Sequence, residues 1–195
     1  MWWAQLLNVI AGIHGTGVAA STTSYESIAT VTVGSGGTST VTFSSIPSTY
    51  KHLQLRFLIR SEAVANTCAV NLRFNADTGS NYYLYHELFA DGSTVGGYAG
   101  GGSTRIQLDQ FPAASRAANV FGAGVLDVLD YTSTNKHKTT RLLAGYDSNG
   151  AGAMNFASGL WFPSTIAAVN QITLTDNTGV DFAEYSQFAL YGIKG

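Results

Sequence analysis

Short runs in which apolar and polar residues alternate are the feature that most constrains this sequence. The clearest run covers residues 53–60, where Leu, Leu, Phe and Ile occupy every second position. Because successive side chains of a strand point to opposite faces, this period predicts strands with one buried and one hydrated face. Further runs of the same period cover 70–74 and 105–109, with threonine-rich versions around 31–33, 41–43 and 172–174.

Clusters of Gly, Asp and Asn separate these runs and predict turns. The clusters lie at 34–37, 77–79, 91–92, 100–102, 147–150 and 176–179. Roughly ten short strands joined by such turns predict an all-β protein, an antiparallel jelly-roll-like β-sandwich. The glycine clusters at 34–37 and 100–102 precede no helix, so we expect hairpin turns there rather than phosphate-binding loops. The segment 112–116 favours a loop over a helix.

The first residues follow a different period. Their apolar side chains recur at the spacing of one helix face, and a series of glycines from Gly12 onward ends the pattern. We therefore divide the chain into a short helical or extended arm, residues 1–24, and a β-sandwich domain, residues 25–195. We expect the arm to dock either on its own domain or, as we favour, on a neighbouring protomer or another protein, through Trp2, Trp3, Leu6, Leu7 and Ile10.

The last predicted strand, residues 185–194, is apolar on both faces. Phe188 and Leu190 share one face, while Ala189, Tyr191 and Ile193 share the other. A strand covered on both sides is either central in a stack of sheets or pressed against a partner. We favour the partner, which makes a second predicted interaction surface of Phe188, Leu190, Tyr191 and Ile193.

Charge and cysteine content bear on the partners and on the chemistry. Only 11% of the residues are charged and the net charge is −2, so no basic field is present to neutralise a phosphate backbone and we expect no nucleic acid partner. No apolar segment reaches the roughly 20 residues that cross a bilayer, so we expect no membrane partner. Cys68 is the single cysteine, which excludes a disulfide within the chain and predicts a small core residue.

The titratable residues form no strong catalytic or metal-binding pattern. Asp127 and Asp130 are three positions apart, which on a strand places them on opposite faces and favours a strand-end charge and a turn residue over an acid–base pair. The turn from Asp147 to Gly150 imitates the opening of a calcium loop, but Ser158 stands where the closing glutamate belongs. We expect an Asx turn there.

Histidine and tyrosine residues complete the set of candidates. The histidines are isolated and are expected to be surface or strand-face residues: His14, His52, His86 and His137. Tyr82, Tyr83, Tyr85 and Tyr98 serve either core and interface packing or contact with a glycan. The sequence thus predicts no catalytic, cofactor-binding or metal-binding residue and no cofactor, and a protein that is not an enzyme.

Several segments together resemble small virion proteins of tailed bacteriophages, including phages of cyanobacteria and marine bacteria. These segments are SYESIATVTVGSGG (24–37), FSSIPSTYKHLQLR (43–56), VLDVLDYTSTNKHKTTRLLAGYD (125–147) and FALYGIKG (188–195). The resemblance covers most of the chain after about residue 24 and implies a structural component of a virion.

Within that resemblance two functions compete. The first is a capsid cement or decoration protein, a homotrimer on the capsid surface that binds the major capsid protein and ties capsomers together. The second is a tail fibre or receptor-binding domain that contacts other tail proteins and presents residues 91–102 to a host glycan. A glycan-degrading enzyme built on Asp127 and Asp130 is the least favoured alternative.

Overall fold

The computed structural model describes residues 24–195. The predicted arm lies almost wholly outside the described residues, so the contacts proposed for it stay a prediction. Its candidate interaction residues are Trp2, Trp3, Leu6, Leu7 and Ile10.

The described part of the chain is all-β, as the alternating pattern predicts, and it contains twelve strands rather than roughly ten. In chain order they are β1 Tyr25–Thr32, β2 Thr40–Phe43, β3 His52–Ile59, β4 Thr67–Phe74, β5 Tyr82–Ala90, β6 Val95–Ser103, β7 Ile106–Pro112, β8 Gly122–Val128, β9 Lys138–Asp147, β10 Gly152–Trp161, β11 Ile172–Asp176 and β12 Gln187–Ile193. The segment after Pro112 is a loop, as expected.

The strands form two antiparallel sheets that pack as a sandwich. One sheet has the order β1-β12-β3-β8-β9-β10-β5-β6, and the other has the order β2-β11-β4-β7. Without β5, β6, β9 and β10, two four-stranded sheets remain, β1-β12-β3-β8 and β2-β11-β4-β7, and the chain crosses repeatedly between them. This connectivity is a jelly roll. The sandwich prediction is therefore confirmed.

Two hairpins are inserted into this jelly roll, β5–β6 and β9–β10. They pair with each other through β10 and β5, and they join the larger sheet through β8 and β9. The result is a four-stranded extension of one sheet only. One end of the larger sheet therefore consists entirely of inserted strands.

One hydrophobic core joins the two sheets. Alternate residues of β3, Leu53, Leu55, Phe57 and Ile59, face inward and are buried, as their spacing predicts. Aromatic rings fill the centre: Phe57 meets Phe111 edge-on at 5.5 Å between ring centroids. The free Cys68 is buried among these residues, and burial raises the pKa of its thiol to about 12. This is the behaviour of a core residue.

Two glycine clusters do not form the predicted hairpin turns. The segment 34–37 carries positive φ angles at Gly36 and Gly37, but it connects β1 and β2, which lie in different sheets. The cluster 100–102 lies inside strand β6 rather than in a turn. Aromatic rings explain two glycines of this cluster, since a Cβ at Gly100 would lie 3.1 Å from the Tyr98 ring and a Cβ at Gly101 would lie 2.4 Å from the Tyr83 ring.

The position of the last strand contradicts part of the predicted partner surface. Strand β12 lies between β1 and β3, and Phe188 and Leu190 are fully buried in the core of the chain itself. They are therefore not available to another protein, because the sandwich interior already covers them. Tyr191 and Ile193, on the other face, are partly exposed, and a partner contact there stays a prediction.

Candidate functional site

An apolar band crosses the outer face of the larger sheet, the face that points away from the core. The register places Val125 beside Leu143, Leu143 beside Phe156 and Phe156 beside Leu88. Their exposed fractions are 39%, 57%, 48% and 55% for Val125, Leu143, Phe156 and Leu88. Four neighbouring strands make this band about 15 Å long at ordinary strand spacing.

A second row of apolar and small residues lies beside the band, on the same face. Ala123 is paired with Leu58 on one side and with Gly145 on the other. Met154 faces Gly145 in turn. Leu58 and Met154 are about half exposed. On β8, β9 and β10 the apolar surface therefore includes two successive outward-facing residues of each strand.

Polar residues border the band on its opposite side. Gln54 donates a hydrogen bond of 2.9 Å from Nε2 to Asp127 Oδ1, and Arg141 lies 3.7 Å from the other carboxylate oxygen of Asp127. At the β12 end of the band, the Arg56 guanidinium lies over the rings of Tyr191 and Tyr25. An apolar centre with a polar border is the usual composition of a protein–protein interface.

The outer face is also indented. One depression of about 310 Å³ forms where small residues, Ala123, Gly124 and Ala189, leave space beside Leu58. Another of about 390 Å³ lies over Val125, Leu143 and Phe156. A relief of this kind gives the side chains of a second protein places to enter.

A separate cleft of about 270 Å³ opens at the seam between inserted strand β6 and jelly-roll strand β7. Its lining is Leu84, Tyr98, Gly100, Gly101, Ser103, Arg105, Gln107 and Asp109. Arg105 donates from Nη2 to Asn177 Oδ1 at 3.2 Å, and Gln107 donates from Nε2 to both carboxylate oxygens of Asp109, at 3.0 and 3.4 Å.

Behind Asp109 lies a buried polar group that belongs to neither sheet alone. Glu87 of β5 is 3% exposed and Asn155 of β10 is fully buried. Asn155 Nδ2 donates to Glu87 Oε1 and, at 3.3 Å, to the backbone oxygen of Asp109 in β7. Asn155 Oδ1 has no hydrogen-bond partner in the described part of the chain.

Burial raises the pKa of both acids. Loss of solvent and the charge of Asp109 raise the pKa of Glu87 to about 7. Burial also raises the pKa of Asp109, while hydrogen bonds from Gln107 and Glu87 oppose that rise. Glu87 is therefore the acid that keeps its proton to the higher pH.

Asp127 and Asp130, the acids considered for catalysis, are not brought together for that purpose. Asp127 lies on the outer face beside Gln54 and Arg141. Asp130 lies in the turn after β8 with a positive φ of 47°, and Lys136 and Lys51 pair with it at 3.0 and 3.4 Å. Asp130 is thus the turn former that the spacing predicts.

The remaining polar candidates also take structural roles. Residues 147–150 form the tight turn between β9 and β10, closed by a hydrogen bond from Ser148 N to the Ala151 oxygen. His52 Nδ1 accepts a hydrogen bond from the Asp130 backbone N. The His137 ring stacks on Phe162 at 4.0 Å between centroids, whereas His86 is exposed. His14 lies outside the described residues.

The tyrosine group is divided between core and surface. Tyr82 is fully buried, and its hydroxyl lies within hydrogen-bond distance of the backbone oxygens of Phe74 and Asp77, at 3.3 and 3.2 Å. Tyr83 lies on the surface, edge-on to Phe162, and Tyr98 is exposed at the rim of the cleft. The side-chain placement of Tyr85 is outside the description.

In the part of the chain that the structure describes, no helix has the length and apolarity needed to cross a bilayer. Among those residues, no group of three or more His, Cys, Asp or Glu side chains is placed to hold a metal ion.

Comparison with known proteins adds little. No family model matches the sequence, and no curated protein matches it. Among solved structures, a fructofuranosidase from Schwanniomyces occidentalis in complex with fructosylnystose aligns with a TM-score of 0.30 and 9% identity. The alignment covers 88% of this chain and 33% of that chain. A likeness this weak carries no inference about fold or function.

Proposed function

We propose that this protein is a structural component of a bacteriophage virion, a capsid cement or decoration protein that binds capsomers as a homotrimer. The observation that carries the proposal is the apolar band of Val125, Leu143, Phe156 and Leu88 on the outer face of the larger sheet. Contiguous exposed apolar surface with a polar border is typical of a protein interface.

The band lies mainly on the inserted hairpins, not on the jelly-roll strands. Three of its four residues belong to β5, β9 and β10, and only Val125 belongs to β8. The insertions therefore extend one sheet and add apolar surface to its outer side. An assembly protein gains a docking face from this arrangement.

The mechanism is mass action. A protein that binds only the assembled shell lowers the free energy of that shell, by about 2.7 kcal/mol per site at a hundredfold excess over the dissociation constant. No enzymatic step is required, and stabilisation comes from contact alone. Particles that carry the protein are then expected to release DNA at a higher temperature than particles that lack it.

A pair of matched substitutions on β10 tests the docking face. Phe156 and Ser158 point to the same outer face, two positions apart, but Phe156 lies in the apolar band and Ser158 lies opposite Arg141 in the polar border. Phe156→Asp is expected to weaken binding to shells that lack the protein by at least tenfold. Ser158→Asp, with the same added charge, is expected to bind like the wild type.

Sedimentation equilibrium of the free protein tests the trimer, and circular dichroism checks that both variants fold. Equal binding of the two variants would exclude the apolar band as the docking face. Equal thermal DNA release from particles with and without the protein would exclude cementing.

A tail fibre or receptor-binding domain is the second candidate, favoured by the cleft beside β6. Tyr98, Arg105, Gln107 and Asp109 bring one aromatic ring and several hydrogen-bonding groups to the same opening, a combination suited to a sugar ring. Copy number separates the two candidates, since hundreds of copies per particle indicate the capsid and a handful indicate the tail. Antiserum that blocks host adsorption would favour the tail.

A further inference from the structure

The cleft between β6 and β7 lies where the two sheets present their edges, since β6 is an edge strand of the larger sheet and β7 is an edge strand of the other. Arg105 just before β7, and Gln107 and Asp109 within it, line the cleft. We propose that this cleft binds a sugar that carries a carboxylate, with Arg105 as the partner of the carboxylate and Tyr98 as the platform for the sugar ring. The proposal rests on the second candidate function, glycan contact, and does not depend on the capsid proposal.

The first argument is the positive charge of Arg105. In the described part of the chain no ion pair joins its guanidinium to an aspartate or glutamate. Nη2 donates to a neutral acceptor, Asn177 Oδ1, at 3.2 Å, and the buried Nε has no acceptor among the described residues. The cleft therefore contains a cation without an opposite charge. A guanidinium has the planar geometry that pairs with a carboxylate through two hydrogen bonds.

The second argument is the separation of the charges that line the cleft. Arg105 and Asp109 are four residues apart on an extended chain, so about 13 Å separate their backbone positions, more than the screening length of about 8 Å at physiological ionic strength. Asp109 also accepts hydrogen bonds from Gln107 at 3.0 and 3.4 Å and from Glu87, which keeps its proton because its pKa is raised to about 7. One end of the cleft is therefore basic, while donors of the protein itself hold the acid at the other end.

The third argument is the set of polar groups beside Arg105. The Gln107 side chain directs Nε2 to Asp109, which leaves Oε1 to accept a hydrogen bond from a hydroxyl group. The Ser103 hydroxyl lines the same opening and either donates or accepts. A ligand with hydroxyl groups next to its carboxylate would use these partners, whereas a simple carboxylate would leave them unused.

The fourth argument is the shape of the cleft. Tyr98 is largely exposed at the opening, and a Cβ at Gly100 would lie 3.1 Å from its ring, so the glycine gives the ring room along β6. An aromatic face beside polar groups suits a sugar, which has apolar C–H faces and polar edges. The volume of about 270 Å³ lies near the lower end of the usual range for ligand sites, about 300 Å³. The cleft therefore fits one sugar residue of a longer glycan.

Titration of the full-length protein with a matched pair of sugars tests the proposal. Methyl β-D-glucuronide and methyl β-D-glucoside differ only at C6, which is a carboxylate in the first and a CH₂OH group in the second. N-acetylneuraminic acid represents the sialic acids, the other common sugars with a carboxylate. In ligand-detected NMR titrations below pH 7, we expect at least one of the two acidic sugars to bind at least tenfold more tightly than the glucoside. The tighter of the two identifies the class, uronic or sialic acid.

The other outcomes of the titration separate the parts of the proposal. Equal affinity for the glucoside and both acidic sugars would overturn recognition of the carboxylate but leave glycan contact standing. Absence of binding by all three sugars would overturn this proposal and glycan contact together. Sodium acetate is the control for charge alone, and acetate that binds as tightly as the acidic sugars would overturn recognition of a sugar.

Variants with matched controls locate the site, and circular dichroism checks that each one folds. Arg105→Gln is expected to bind the acidic sugar at least tenfold more weakly and to lose the preference over the glucoside. Lys136→Gln removes a positive charge from an exposed position outside the cleft and is expected to bind like the wild type. Tyr98→Ala is expected to weaken binding at least fivefold, whereas Tyr185→Ala removes an exposed tyrosine elsewhere and should have no effect. Unchanged affinity in Arg105→Gln, or an equal loss in Lys136→Gln, would overturn the assignment of the carboxylate to Arg105.

Discussion

At the scale of single residues, Glu87 governs a pH dependence of stability. Burial and Asp109 raise its pKa in the folded protein to about 7, from an ordinary value of 4.5. The folded state therefore binds the Glu87 proton more tightly than the unfolded state does. The resulting stability is fully present below about pH 4.5 and is lost as the pH rises through about 7.

Glu87→Gln is expected to remove this loss, because a neutral amide has no proton to release. In chelator-containing buffer the variant should be more stable than the wild type at pH 8, on the order of 1–3 kcal/mol. Urea unfolding between pH 5 and pH 8 measures the difference, and Asp127→Asn on the outer face serves as a control that keeps the wild-type slope. A variant with the same slope as the wild type would show that Glu87 is not the responsible group.

At the scale of strands, packing between neighbouring strands explains why a glycine occupies position 124, which lies inside β8 and not in a turn. Gly124 lies in β8 opposite Phe57 of β3, and a Cβ at Gly124 would lie 2.1 Å from that ring. Because Gly124 has no side chain, the Phe57 ring has room in the core, where it also contacts Phe111 and Phe188.

Gly124→Ala is therefore expected to destabilise the fold by about 1–3 kcal/mol, the usual cost of overpacking a core. Gly34→Ala is the matched control, because a Cβ at Gly34 would meet no atom within 4 Å and its φ angle is not positive. Denaturant midpoints with unchanged m-values measure both effects. Equal midpoints for the two variants would mean that the Phe57 ring moves aside without cost.

Alternation of side chains made most of the strands predictable. Leu53, Leu55 and Phe57 are buried where the period of two places them, and the sandwich follows because one face of each sheet must be covered. The same reasoning was wrong for residues 100–102, where it predicted a turn and the structure has strand β6. Gly100 and Gly101 indicate a turn locally, yet they lie in β6, where a Cβ at Gly100 would meet the Tyr98 ring of β6 and a Cβ at Gly101 would meet the Tyr83 ring of β5.

The buried acid pair could not be predicted, for two physical reasons. Glu87, Asp109 and Asn155 are far apart in sequence and meet only through the pairing of the inserted hairpins with the body. In addition, the register between β5 and β10 shifts between the Leu84 and His86 pairs. Simple alternation would put Glu87 on the same face as the exposed Tyr83, whereas this irregularity turns Glu87 inward with the buried Leu84.

At the scale of the whole molecule, the described residues form a sandwich that is closed by its own core. Both sheets contribute to one continuous cluster of buried side chains, from Val33 to Leu190. The stability of residues 24–195 is therefore expected to come from contacts within that range. The arm predicted for residues 1–24 is then expected to serve attachment rather than the stability of the sandwich.

The double substitution Trp2→Ser with Trp3→Ser tests this separation. If the tryptophans bind another virion protein, unfolding of the purified variant should match the wild type within about 0.5 kcal/mol, while retention on particles falls at least tenfold. Leu6→Ser with Leu7→Ser should act in the same direction, since these residues share the predicted helix face. Loss of stability in the purified variant, with retention on particles unchanged, would instead place the tryptophans on the arm's own domain or on a neighbouring protomer, because only contacts within the purified protein can stabilise it in the absence of particles.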